Sequence, residues 1–124
     1  MEIFLQLRSK TPIYEQIVTQ VKQLIMNGAL KDGDPIPSMR ALAKTLQVSV
    51  ITVQKAYEEL QRKGLIESLA GRGTFIQAQN TDEIKQEYWN SIKIHAQKIA
   101  ALAKESGACT QEIIDLITEV MSHE

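Results

Sequence analysis

A chain of 124 residues with 44% hydrophobic but only 5% aromatic side chains can bury one modest aliphatic core, or a small domain carrying an appendage. No apolar run reaches bilayer length, the start Met1–Gln6 lacks the basic and apolar regions of a secretory leader, and the lone Cys109 allows no internal disulfide, so a cytoplasmic protein is expected. The net charge of −1 hides a split: residues 1–79 hold ten Lys/Arg and seven Asp/Glu (+3), residues 80–124 four Lys and eight Asp/Glu (−4), so only the first part suits a polyanion.

Residues 1–10 read as a short arm with Ile3-Phe4-Leu5 extended. A helix then starts, with Thr11 as cap, Pro12 at the first helical position and Glu15 in the first turn. Ile13, Ile17, Val21 and Leu24 form its stripe, flanked by Val18 and Ile25, and Asn27-Gly28 ends it. Asp32–Pro37 is turn-rich. Ser38 caps a second helix with Met39, Leu42, Ala43 and Leu46 inward, and Ser49 caps a third with Val53, Ala56, Tyr57 and Leu60 inward. Gly64 stops the third helix. Leu65–Ser68 and Thr74–Ile76, joined by Leu69–Gly73, predict a hairpin. The polar stretch Gln77–Asn80 marks a domain boundary. A long helix then runs from Thr81 to about Glu105, Gly107 breaks it, and a last helix opens at Thr110.

Two short helices meeting at a tight turn and followed by a hairpin fit a helix-turn-helix with a wing. Ala43 is small where the helices approach, and Val53 anchors the second of them. Gln47 stands at the turn position often held by glycine. At about 100° per residue, Ile51, Lys55, Glu58 and Arg62 point away from the core, with Thr52 and Gln54 on the flanks. The N-terminal end of such a helix enters the major groove. There Thr52 and Gln54 can bond base edges, Lys55 can meet phosphate or guanine, and Ile51 is either a stray exposed residue or a contact for a thymine methyl.

The stretches Gly28–Ala43, Val48–Leu60, Lys63–Ile66 and Gly71–Ile76 together resemble the signature of the GntR family, over roughly residues 10–77. The short two-helix tail resembles its YtrA-like subfamily. The resemblance implies that Ser38 and Arg40 contact phosphate and base, that Ser49, Thr52 and Gln54 are recognition-helix contacts, and that Gly71 and Arg72 form a wing tip reaching the minor groove. Many members have Arg where this chain has Val50, so the usual operator sequence is not carried over. The resemblance also implies control of a transporter operon. Repression is expected over activation, because a small chain can block polymerase by occupancy alone.

The expected fold is therefore mainly α with a small β-hairpin wing: a winged helix-turn-helix over residues 1–78 and a helical dimerisation tail over 79–124. In the tail, Trp89, Ile92, Ala96, Ile99 and Ala103 recur at three, four, three and four, a heptad-like seam, with Ile113, Ile117 and Val120 as its counterpart on the last helix. This surplus of apolar surface predicts a homodimer on a palindromic duplex operator. His95, His123 and Cys109 show no catalytic or metal-ligand spacing, so neither enzyme nor cofactor nor metal is expected, and no effector ligand is identified. The competing reading is a winged helix that binds protein, which would lack basic residues on both helix and wing. Here Arg40, Lys55 and Arg72 occupy them.

Overall fold

The first apolar stripe folds into α1 (Ile13–Met26), with Ile17, Val18, Val21 and Ile25 buried and Ile13 and Leu24 half-buried at its margins. A computed structural model describes residues 1–79 and 81–123, which fall into two units, Met1–Asp82 and a second beginning at Glu83. Thr11 does not cap α1. Pro12 holds that position, and its ring has no polar atom with which to make a side-chain hydrogen bond. The Gln20 amide brackets Phe4, accepting from its N–H at 2.9 Å and donating to its carbonyl at 2.7 Å. Gln16 brackets Gln6 in the same way and also donates to the Thr11 carbonyl at 2.9 Å. Each glutamine stands in for a neighbouring peptide group, so the arm lies along α1 without joining a sheet.

Helices α2 (Met39–Leu46) and α3 (Val50–Arg62) start at the expected caps. Ser38 Oγ accepts from the Ala41 N–H at 3.1 Å, and Ser49 Oγ from the Thr52 N–H at 3.2 Å. Both α1 and α2 pack on α3, whose Val53, Ala56, Tyr57 and Leu60 are the centre of the core. The Tyr57 hydroxyl donates to the Pro37 carbonyl at 2.7 Å, and burial pushes its phenol up to about 12.

Between α2 and α3 the chain turns at Gln47, with φ +56° and ψ +45°. That left-handed conformation costs an L-residue about 1–2 kcal/mol. It persists because the Val48 N–H must reach the Ala43 carbonyl, at 3.0 Å, to close α2. Gln47→Gly is expected to raise unfolding free energy by about 0.5–1 kcal/mol, less than the relieved strain because glycine also loosens the unfolded chain. Urea unfolding checks this; an unchanged midpoint would show the turn to be unstrained.

The predicted hairpin forms as β2 (Ile66–Leu69) and β3 (Gly73–Ile76), in register Ile66↔Ile76 to Leu69↔Gly73. A third strand was not foreseen. Pro35–Ile36, β1, pairs antiparallel with β3, so the hairpin is part of a three-stranded sheet in the order β1-β3-β2. Pro35 and Pro37 read as turn residues, yet proline, lacking an N–H, is compatible with an edge strand. The Gly33 N–H to the Ile76 carbonyl and the Ile76 N–H to the Asp34 carbonyl, both 2.8 Å, anchor this edge. Asp32 then ties down the end of the unit, accepting from the Ala78 N–H at 2.9 Å. Asn80, the last residue of the polar boundary, lies outside the described residues.

The second unit contains α4 (Asp82–Ser106), apart from its first residue, and α5 (Thr110–Ser122), joined through Gly107 at φ +76°. The Glu112 carboxylate accepts from the Cys109 N–H at 3.1 Å, which closes the start of α5 and holds that carboxyl below its usual range. No residue of α5 is buried, and in α4 only Ile84 is. Among the described residues no helix is long and apolar enough to cross a membrane.

Candidate nucleic-acid interface

The expected DNA-facing residues lie on three elements of the first unit. Ser38 and Arg40 lie at the start of α2. The Ser38 oxygen is used by the cap, which leaves its O–H free to donate. Arg40 is exposed and makes no hydrogen bond or ion pair among the described residues. At the hairpin tip the Arg72 N–H bonds the Leu69 carbonyl at 2.9 Å, with Gly71 at φ +75° in the third turn position. That conformation needs glycine. The Arg72 side chain is exposed and, like that of Arg40, has no partner among the described residues.

The first turn of α3 presents apolar groups to solvent: Val50 is 41% and Ile51 76% exposed. Ser49 and Thr52 form one unit, their hydroxyls 2.9 Å apart, and Thr52 is half-buried. Its hydroxyl is thus less free than a helical wheel implies. The Gln54 amide donates to Glu58 Oε1 at 3.1 Å. Its i,i+4 spacing is the signal by which sequence alone could find this pair. Lys55 Nζ stands 4.0 Å from the centroid of the Tyr14 ring on α1, a partner 41 residues away that no local pattern shows. At the other end of α3, Arg62 bonds Glu59, and the Lys63 ammonium is 3.7 Å from the same carboxylate. The Arg62 hydrogen bond, the largest influence, holds that carboxyl below its usual range. Positive charge is therefore partly offset at the C-terminal end of α3, whereas Arg40 and Arg72 have no ion-pair partner among the described residues.

In the second unit α4 and α5 border an apolar groove of about 680 Å³. Six residues of the expected seam line it: Ile92, Ala96, Ile99, Ala103, Ile113 and Ile117. Tyr88 and His95, which the heptad reading did not place there, line it too. Trp89 does not, and is 62% exposed. Val120 is half exposed beyond the lined segment. His95 Nδ1 is 2.7 Å from the Ser91 carbonyl, an ordinary helical contact, and no group of three or more potential metal ligands occurs among the described residues.

Comparison with known proteins agrees with this arrangement. The family model for bacterial regulatory proteins of the gntR family matches residues 13–76. The HTH-type transcriptional repressor YtrA of Bacillus subtilis (strain 168) is 39% identical over 113 residues, covering 91% of this chain and 87% of the relative. A transcriptional antiterminator from Listeria monocytogenes EGD-e has a similar structure, with a TM-score of 0.71 and 32% identity over 98% of this chain and 90% of its own. The AraR DNA-binding domain, solved in complex with operator ORX1, matches 61% of this chain and 95% of its own, with a TM-score of 0.53 and 29% identity. The matching family and the YtrA relative are transcription regulators, not enzymes. The family match over residues 13–76 and the 39% identity to YtrA over 91% of the chain place it: the chain belongs to the GntR family of bacterial regulatory proteins.

Proposed function

We propose that this chain is a repressor that binds an inverted-repeat operator as a homodimer, with residues 1–78 gripping the duplex and 79–124 joining the two copies. The observation that carries the DNA reading is the pair of uncompensated arginines, Arg40 on α2 and Arg72 on the hairpin, on either side in sequence of an α3 whose first turn is exposed. Ser38 and Arg40 then meet phosphate and base from α2. Ser49, Val50, Ile51, Thr52 and Gln54 face the major groove, Lys55 meets phosphate or guanine beside it, and Gly71 and Arg72 reach the minor groove. Similarity to the YtrA repressor supports repression, and the subfamily resemblance makes a transporter operon the expected target.

Two unpartnered helices support the dimer. A wet apolar groove on a regulator of this size is an interface by default, and an isologous pair is the commonest closed solution. Two recognition helices would then stand about 34 Å apart, or a multiple of that. Selection of bound duplexes from a random pool tests both parts: an inverted repeat of fixed spacing is expected, and a single unpaired half-site would overturn the dimeric reading. Affinity for random duplex should also fall steeply with salt as phosphate contacts are lost. A flat response would favour the protein-binding winged helix.

Val50→Arg places a bidentate donor at an exposed position of the first turn of α3. It should raise non-specific affinity and shift one position of each half-site toward guanine, a preference of about 1–3 kcal/mol. An unchanged selected sequence would show that residue 50 does not face the groove.

A further inference from the structure

We infer that Tyr14, on α1 and outside the recognition helix, is a positioning residue for DNA binding: its ring holds the Lys55 ammonium at the edge of the interface, where it meets backbone phosphate rather than a base. The inference rests on the DNA-binding reading above.

Lys55 is exposed on the outward side of α3, and a free lysine there would sample many rotamers that DNA binding must then restrict. It is not free. Its Nζ lies 4.0 Å from the Tyr14 ring centroid, well inside the range of about 6 Å over which a ring face attracts a cation. The ring is itself fixed. Tyr14 is half-buried in the first turn of α1, α1 packs along α3, and the Tyr14 hydroxyl donates to Glu15 Oε1 at 3.2 Å.

The nature of the partner matters. Arg62 and Lys63 share the single Glu59 carboxylate, which offsets part of their charge. Lys55 is held by a neutral ring, which restrains the ammonium without cancelling its charge and leaves N–H donors on the side away from the ring. The direction matters as well. Base contacts belong to the N-terminal turn of α3, around Val50 and Ile51, whereas Lys55 is a full turn further on and drawn toward α1. A point charge held there suits phosphate, which is the same whatever the base sequence.

The test is a double-mutant cycle on the full chain, with binding measured to a mixed-sequence duplex and to the selected operator across a salt series. Lys55→Ala should weaken both duplexes by the same factor and reduce the salt slope by about one. Tyr14→Leu, which removes the ring but keeps an apolar side chain, should weaken both about two- to fivefold, yet add nothing in the Lys55→Ala background. Tyr14→Phe, which restores the ring without the hydroxyl, should recover parental binding, with thermal unfolding followed for every variant. Equal loss from Tyr14→Leu with and without Lys55, or failure of Tyr14→Phe to recover binding, would overturn the inference. So would a change in selected bases on Lys55→Ala, which would make Lys55 a base contact. Those results leave the DNA reading standing; absence of salt-dependent duplex binding by the parent chain would overturn both.

Discussion

Full-length protein carrying Ile99→Glu is expected to sediment as a monomer and to bind its operator about 10²- to 10⁴-fold more weakly than the parent. Ile99 is half-buried and lines the α4–α5 groove. In the proposed dimer it faces a second copy across an apolar surface, where two new carboxylates would be desolvated without partners. The first unit should be untouched, because its core of Val53, Tyr57, Leu60 and their neighbours contains nothing from the tail groove. Its thermal transition should therefore persist. Loss of operator affinity would follow from lost linkage: once one half-site is held, the second binding event becomes intramolecular, and such coupling gains about 10²- to 10⁴-fold without any new contact. Random-duplex affinity per winged unit should change far less. Analytical ultracentrifugation and an operator titration on the same samples read both quantities.

Arg40→Ala and Arg72→Ala should each weaken operator binding by about 1–3 kcal/mol, or between about 5- and 150-fold. Neither side chain is buried or bonded within the described residues, so neither substitution removes packing or leaves an orphaned partner. The melting temperature of each variant should match the parent's. The two should differ in character. Arg40 comes from a helix start, Arg72 from a hairpin tip whose access to the minor groove depends on groove width. Arg72→Ala should therefore flatten any preference for A·T-rich flanks, while Arg40→Ala should act on the core of the half-site. Parental affinity in either variant would remove that arginine from the interface.

What was legible in the sequence was local chemistry. Ser38 and Ser49 are caps because a short hydroxyl side chain reaches back to an N–H three residues on, and both do so. The stripe Val53, Ala56, Tyr57 and Leu60 is buried because helical spacing alone puts those residues on one side. What could not be read depended on distant partners or on competition. β1 exists because β3 offers an edge that Pro35 and Ile36 can join, and two prolines in four residues disguise it. Thr11 loses its expected role because α1 begins one residue later than the pattern suggests, with Pro12 at the cap position. Trp89 falls outside the groove although helical spacing puts it within about 20° of Ala96, which lines it, so spacing alone could not exclude it. In the interface, the residue types were readable but their bonding was not. Thr52 is engaged by Ser49, Gln54 by Glu58, and Lys55 by a tyrosine on another helix.

The most direct measurement of the central claim compares the full chain with a fragment ending at Gln79, by sedimentation and by titration against the selected operator. The fragment keeps every buried residue of the core except Ile84, together with the sheet and the Asp32 contact to Ala78, so it should fold. The expected result is a folded monomer that binds duplex weakly, with strong salt dependence and little preference for the inverted repeat, beside a full chain that is dimeric and selective. A fragment that still dimerises, or that holds the inverted repeat as tightly as the full chain, would contradict the assignment of residues 79–124 as the element that pairs two winged helices on one operator.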